Sequence, residues 1–130
     1  MTSLTALTDL MSALRHPETG CPWDIKQTSR SIGAYTLEET YELLHAIESG
    51  DSHNIQQELG DLLFHIVFHA QIAAEQQQFD INDVIQGIVD KMQRRHPHVF
   101  DAEHDNQLSD DELKKQWQQH KQDEKKSAER

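Results

Sequence analysis

Glu58-Leu59-Gly60-Asp61-Leu62-Leu63-Phe64-His65-Ile66-Val67-Phe68-His69-Ala70-Gln71-Ile72-Ala73-Ala74 contains no proline and no alternation of polar and apolar residues, so it reads as helix. At about 100° per residue, Glu58, Asp61, Leu62, His65, His69 and Ile72 fall on one side. Leu59, Leu63, Phe64, Ile66, Val67, Ala70 and Ala74 cover most of the remaining circumference. A helix that is apolar nearly all round is buried nearly all round. The expected fold is therefore all-α, built on this central helix and sealed by a second subunit. Phe64, Val67 and Gln71, opposite the acids, are the expected contact with that subunit.

Glu58 and Asp61 interrupt an otherwise greasy surface, and a second acidic run, Glu38-Glu39-Thr40-Tyr41-Glu42, precedes them. Residues three or four apart on a helix share a face, with Cβ atoms roughly 5–6 Å apart. Glu39 thus projects with Glu42, Glu58 with Asp61, and Glu38 lies one turn before Glu42. Antiparallel packing of the two helices would bring these carboxylates into one cleft. Two such charges about 6 Å apart repel by roughly 3 kcal/mol at an effective dielectric near 20. Either solvent separates the acids or a cation holds them. One ExxE motif is usually a solvated helix face, but acids on a buried helix need partners. An all-oxygen donor set suits Mg²⁺, or Mn²⁺ in its place, and such ions commonly bridge carboxylates to substrate phosphates.

The chain has 130 residues, 35% hydrophobic and 27% charged, with a net charge of −11. That length suits one domain with a modest core. The negative charge argues against nucleic acid as a partner. No apolar run approaches the roughly 18 residues of a membrane span, so no membrane partner is expected. No secretion signal is visible at the N-terminus, and the lone Cys21 fits a reducing cytoplasm.

Around the central helix the remaining segments follow. Leu4, Leu7, Met11 and Leu14 predict a first helix over residues 3–15. His16-Pro17-Glu18-Thr19-Gly20-Cys21-Pro22-Trp23-Asp24 predicts an irregular loop. Thr36-Leu37-Glu38-Glu39 has the form of a capping box, which starts the second helix at Thr36 and leaves Glu39 wanted by both cap and cation. Gly50 ends that helix, and Asp51 or Ser52 caps the central one, which runs to about Gln77. Asp80 caps a fourth helix, with Ile81, Val84, Ile85, Ile88 and Met92 inward and Pro97 as its stop. Ser109 caps a fifth, anchored by Leu113 and Trp117, beyond which the charged chain is expected to be frayed or disordered. Lys91, Arg94 and Arg95 make a cluster of cations in an acidic protein, at a helix end whose dipole they also complement.

Four separated motifs carry a resemblance that covers about Leu4 to Trp117. They are Gly20-Cys21-Pro22-Trp23-Asp24, Tyr35-Thr36-Leu37-Glu38-Glu39-Thr40-Tyr41-Glu42, Glu58-Leu59-Gly60-Asp61-Leu62-Leu63-Phe64 and Arg94-Arg95-His96-Pro97-His98-Val99-Phe100. In this order they resemble the MazG family of nucleoside triphosphate pyrophosphohydrolases. The resemblance implies a MazG-like bundle of four to five helices completed by dimerisation, spanning residues 1–120, with a charged tail at 121–130. It implies Mg²⁺-dependent cleavage of nucleoside triphosphates to monophosphate and pyrophosphate, in nucleotide-pool house-cleaning. By the same likeness Glu39, Glu42, Glu58 and Asp61 would be metal ligands, Lys91 and Arg95 phosphate contacts, and Trp23 an aromatic near the base. Glu38, one turn from Glu42, is the expected residue that orients or deprotonates the attacking water. The most similar members carry two such domains in tandem, so this chain reads as a single-domain form or as the N-terminal half of a longer protein.

Two other readings compete. Glu42-Leu43-Leu44-His45 is an ExxH motif, which suggests a di-iron carboxylate bundle, but the second ExxH is missing because Phe64 stands three places after Asp61. A non-catalytic helical dimerisation module explains the greasy helix and leaves the acids unexplained. His45, His65 and His69 are expected to pack or to support the acids without ligating, and Cys21 to be structural.

Overall fold

The computed structural model describes residues 3–101 and 108–128. Among these, all regular structure is helical: α1 (Leu4–Leu14), α2 (Pro22–Lys26), α3 (Ser29–Ser49), α4 (Ser52–Glu75), α5 (Ile81–Arg95), α6 (Pro97–Phe100) and α7 (Asp110–Ala128). The expected all-α class is what the chain adopts. It forms two compact units, one ending at Val84 and the other beginning at Ile85.

In the first unit α4 packs against both α3 and α1. Met11 of α1, Ile32 of α3, and Val67, Phe68 and Ile72 of α4 form its buried core, with Leu4, Leu7, Phe64 and Ile81 packed against it. Ser3 starts α1 by accepting from the Ala6 amide at 3.3 Å. The segment after α1 was expected to be irregular, yet it contains the short helix α2. Pro22 sits in its first turn, where a missing amide proton costs nothing. The approach to α2 depends on Gly20, whose amide donates to the His16 carbonyl at 2.9 Å while the next amide donates to Leu14 at 2.8 Å. A Cβ at Gly20 would overlap the Leu14 carbonyl oxygen and the His16 backbone.

Helix α3 starts earlier than its sequence predicts. Thr28, not Thr36, is its N-cap: the Ser31 amide donates to the Thr28 hydroxyl at 3.1 Å, and the Thr28 amide donates to the Ser31 hydroxyl at 2.9 Å. This serine-based box is a weaker sequence signal than Thr36-x-x-Glu39, which explains the misplaced start. Thr36 lies inside the helix with its hydroxyl turned to the Ile32 carbonyl at 3.1 Å. Glu39 is thereby released from any capping role. Gly50 ends α3 in the left-handed region at φ 73°, as its position predicts. Asp51 then caps α4 by accepting from the His53 amide at 3.0 Å. So tight a link folds α3 and α4 into an antiparallel hairpin.

Central helix α4 is less enclosed than its composition predicts. Val67 is buried within this chain's own core and Phe64 packs against it, so neither is the free face expected for a neighbouring subunit. Exposed apolar residues instead form stripes at Leu59, Leu63 and Ile66 on α4 and at Leu37, Tyr41 and Leu44 on α3. Leu63 and Val67 lie one turn apart on the same side of α4: Val67 joins the core with Met11 of α1, whereas Leu63, one turn nearer the N-terminus, stays exposed.

In the second unit Arg95, at the end of α5, is buried at 9% exposure. Its guanidinium pairs with Glu124 of α7 and stacks over Trp117, 4.7 Å from the ring centroid. Arg94 adds a second bond to Glu124 at 2.6 Å. The chain beyond Trp117, expected to be frayed or disordered, is helical to Ala128. Its anchors are polar: the arginine pair on Glu124, and Gln119 donating to Asp123 at 3.0 Å one turn along.

Candidate metal centre

Antiparallel pairing of α3 and α4 brings their acid-bearing faces together. One ligand oxygen each from Glu39, Glu58 and Asp61 lies within 4.8 Å of the others. One oxygen of Glu39 and one of Glu58 are buried with no hydrogen-bond partner. Burial, then the charges of Glu42, Asp61, Glu58 and Glu38, raise the Glu39 carboxyl above its ordinary value. Burial, then Glu42 and Asp61, raise Glu58 in the same direction. Orphaned buried carboxylate oxygens are rare because desolvating them without a partner is costly. The donor set therefore fits a hard divalent cation, and Glu39, Glu58 and Asp61 are the residues placed to hold one. No histidine joins this group among the described residues, which disfavours the di-iron reading.

Glu42 stands at the edge of the trio. Together with Glu38, Tyr41, His45, Ala46, Ser49, Asn54 and Glu58 it lines an open cavity of about 430 Å³. Glu38 and Glu42 thus face the same space as Glu58, while Glu39 and Asp61 complete the tight cluster. Trp23 is half exposed on α2, edge-on to Tyr35 with ring centroids 5.7 Å apart. Tyr35 precedes Glu39 by one helical turn, so the aromatic pair adjoins the acid-bearing part of α3. Lys91 and Arg95 belong to the second unit, where Lys91 forms no ion pair among the described residues and Arg95 is engaged by Glu124.

Residues 27–100 match the family described as the MazG nucleotide pyrophosphohydrolase domain. The chain belongs to the MazG family. The match takes in α3, α4, Lys91 and Arg95, and leaves Trp23 and α7 outside it. Over 126 residues the chain is 48% identical to the nucleoside triphosphate pyrophosphohydrolase of Escherichia coli K12, covering 96% of this chain and 47% of that protein. It is 51% identical over 94 residues to the nucleoside triphosphate pyrophosphohydrolase/pyrophosphatase MazG of Thermotoga maritima, covering 72% of this chain and 36% of that protein. The chain thus spans about half, or less, of the length of these curated relatives. The crystal structure of a MazG-related protein from Thermotoga maritima superposes with a TM-score of 0.72 at 27% identity, over 91% of this chain and 98% of that one.

Three features of this MazG domain escaped sequence reasoning. Thr36 bridges His65 and His69 across the hairpin. Tyr35 backs Trp23. Arg15 of the α1 C-terminus pairs with Glu75 through two 2.8 Å bonds and donates to the carbonyls of Asp24 at 2.6 Å and Gln27 at 3.1 Å. The only sequence signal for any of them was the histidine spacing on the acid side of α4.

Proposed function

We propose that this MazG domain hydrolyses nucleoside triphosphates to a nucleoside monophosphate and pyrophosphate, in nucleotide-pool house-cleaning. The observation that carries the proposal is the convergence of Glu39, Glu58 and Asp61 with two buried, unpartnered carboxylate oxygens. The names of the bacterial relatives support the reaction class. A divalent cation held there, Mg²⁺ with Mn²⁺ able to substitute, supplies Lewis acidity toward phosphate oxygens and acidifies water.

This chain's own residues have separate tasks. Glu39, Glu58 and Asp61 hold the cation, and Glu42 at the rim completes the acidic wall. Glu38 orients the attacking water and takes its proton. The water oxygen bonds to the α-phosphorus, the α–β phosphoanhydride bond breaks, and pyrophosphate departs. Trp23, backed by Tyr35, offers an aromatic surface to the base. Lys91 and Arg95 are assigned to phosphate contacts by family likeness, and Arg95 must exchange Glu124 for a phosphate to serve that role. The exposed apolar stripes of α3 and α4 support assembly with a second copy of the chain.

Product analysis tests the reaction. Hydrolysis of a panel of nucleoside and deoxynucleoside triphosphates in oxygen-18 water with Mg²⁺ should place the label in the monophosphate and none in pyrophosphate. Lys91→Ala should lower kcat/KM by roughly 30- to 1,000-fold if its contact is like that of other electrostatic stabilisers. Label in pyrophosphate, or orthophosphate and diphosphate as first products, would overturn the assignment.

A further inference from the structure

One turn from the acids, α3 and α4 are joined by a polar contact that hydrolysis itself does not use. The Thr36 hydroxyl lies 3.2 Å from Nδ1 of His65, 3.0 Å from Nε2 of His69 and 3.1 Å from the Ile32 carbonyl oxygen. Both histidine contacts cross from α3 to α4. A threonine hydroxyl has one proton and two acceptor lone pairs. When that proton goes to Ile32, both facing ring nitrogens donate, Nδ1 of His65 and Nε2 of His69; when it goes to one ring nitrogen, the other donates, so at least one of the two carries a proton toward Thr36. Burial and the neighbouring His69 hold the His65 imidazole below its ordinary value, against the opposing pull of Asp61.

The contact is placed where the acids need it. Glu39 follows Thr36 by three residues on α3, and Asp61 precedes His65 by four on α4, so one helical turn separates each acid from the clasp. Like charges at Glu39, Glu42, Glu58 and Asp61 push the helices apart on this side. Burial of apolar residues elsewhere in the interface is non-directional and leaves helix rotation loosely specified. A three-centre hydrogen bond has fixed distances and directions.

We propose that Thr36, held between His65 and His69, is a positioning residue that sets the spacing and rotation of α3 against α4 so that Glu39, Glu58 and Asp61 converge on one ion. The inference rests on the reading of those acids as a cation site. Thr36→Val keeps the side-chain shape and removes the acceptor; Thr36→Ser restores it. His65→Asn retains an N–H near the Nδ1 position, whereas His65→Leu has none.

The test uses the full chain and Mn²⁺ alone, with binding followed by calorimetry and by the resonance of the free ion, together with ¹⁵N–¹H correlation of the histidine rings. The wild-type rings should show a proton on Nδ1 of His65, on Nε2 of His69, or on both. Thr36→Val should weaken Mn²⁺ binding by roughly 10- to 100-fold, in the range of other residues that orient metal ligands, at unchanged helical content. Thr36→Ser and His65→Asn should bind as wild type. If Thr36→Val does not fold, His65→Leu against His65→Asn gives the same comparison. Equal Mn²⁺ affinity in wild type and Thr36→Val, failure of Thr36→Ser to restore binding, or no proton on either Nδ1 of His65 or Nε2 of His69 overturns the clasp alone. No Mn²⁺ binding by the wild-type chain overturns the cation reading, and the positioning role with it.

Discussion

Glu39 and Glu58 carry raised carboxyl groups for a reason that makes a prediction about stability. Burial and neighbouring acids disfavour their charged forms, so each ionised carboxylate costs the metal-free fold something that a proton or a cation would remove. Above the folded-state pKa of each acid that cost is fully present. Glu39→Gln and Glu58→Gln should therefore raise the melting temperature of the metal-free chain near neutral pH. The same substitutions should shrink the additional rise that millimolar Mg²⁺ gives the wild type, since a cation that binds only the folded state stabilises it by mass action. Scanning fluorimetry with and without Mg²⁺ reads both effects. A metal-free variant that melts lower than wild type would mean that the acids are stabilised by contacts other than a cation.

Among the elements, Arg15 ties three helices with one side chain. It pairs with Glu75 at the end of α4, caps two carbonyls in and after α2, and lies over Phe68, 5.4 Å from the ring centroid. Arg15→Ala leaves the carbonyls of Asp24 and Gln27 without this donor, and should cost about 2 kcal/mol or more in urea unfolding. Arg15→Lys should recover little, because a lysine cannot reproduce the planar fork. The second tie is Glu124, whose hydrogen bonds to Arg95 and then Arg94 pull its carboxyl down to about 2 from the ordinary 4.5. A depressed acid contributes stability that is present above its unfolded pKa and lost as pH falls through its folded pKa. The α5–α7 contact should therefore weaken between 4.5 and about 2. Glu124→Gln should flatten the acid limb of a pH-dependent melting curve over that window. An unchanged limb would mean that the pair contributes nothing in solution.

For the whole molecule, the exposed stripes are the informative surface. Leu59 (51%), Leu63 (45%) and Ile66 (42%) on α4, with Leu37 (58%), Tyr41 (60%) and Leu44 (51%) on α3, are large apolar side chains left exposed at helical spacing on two paired helices. A second copy burying these stripes is the proposed solution. Light scattering at micromolar concentration should give at least a dimer, and Leu63→Glu should shift it toward monomer. Phe64→Glu should instead unfold the chain, because Phe64 packs against the internal core. A monodisperse wild-type monomer would remove dimerisation from the proposal.

Much of this was legible in the sequence because helices write their own period into it. The run from Glu58 to Ala74, the glycine stop at Gly50, the Asp51 cap and the shared faces of Glu39 with Glu42 and of Glu58 with Asp61 are local properties, set within a turn or two by 3.6-residue geometry. The start of α3 was less legible: the Thr36-x-x-Glu39 pattern points to Thr36, whereas the Thr28–Ser31 box, without a glutamate at its third position, starts the helix eight residues earlier and Ile32 of that first stretch is buried in the core. What periodicity could not specify was how far each helix is rotated about its axis against its neighbours. That rotation selects Glu39, Glu58 and Asp61 as the tight trio, leaves Glu42 at its edge, and threads Thr36 between two histidines. It also joins Arg15 to Glu75 and Arg95 to Glu124, pairs 60 and 29 residues apart. Such contacts belong to the packed arrangement of whole helices, and no window of sequence short enough to reveal a helix is long enough to contain them.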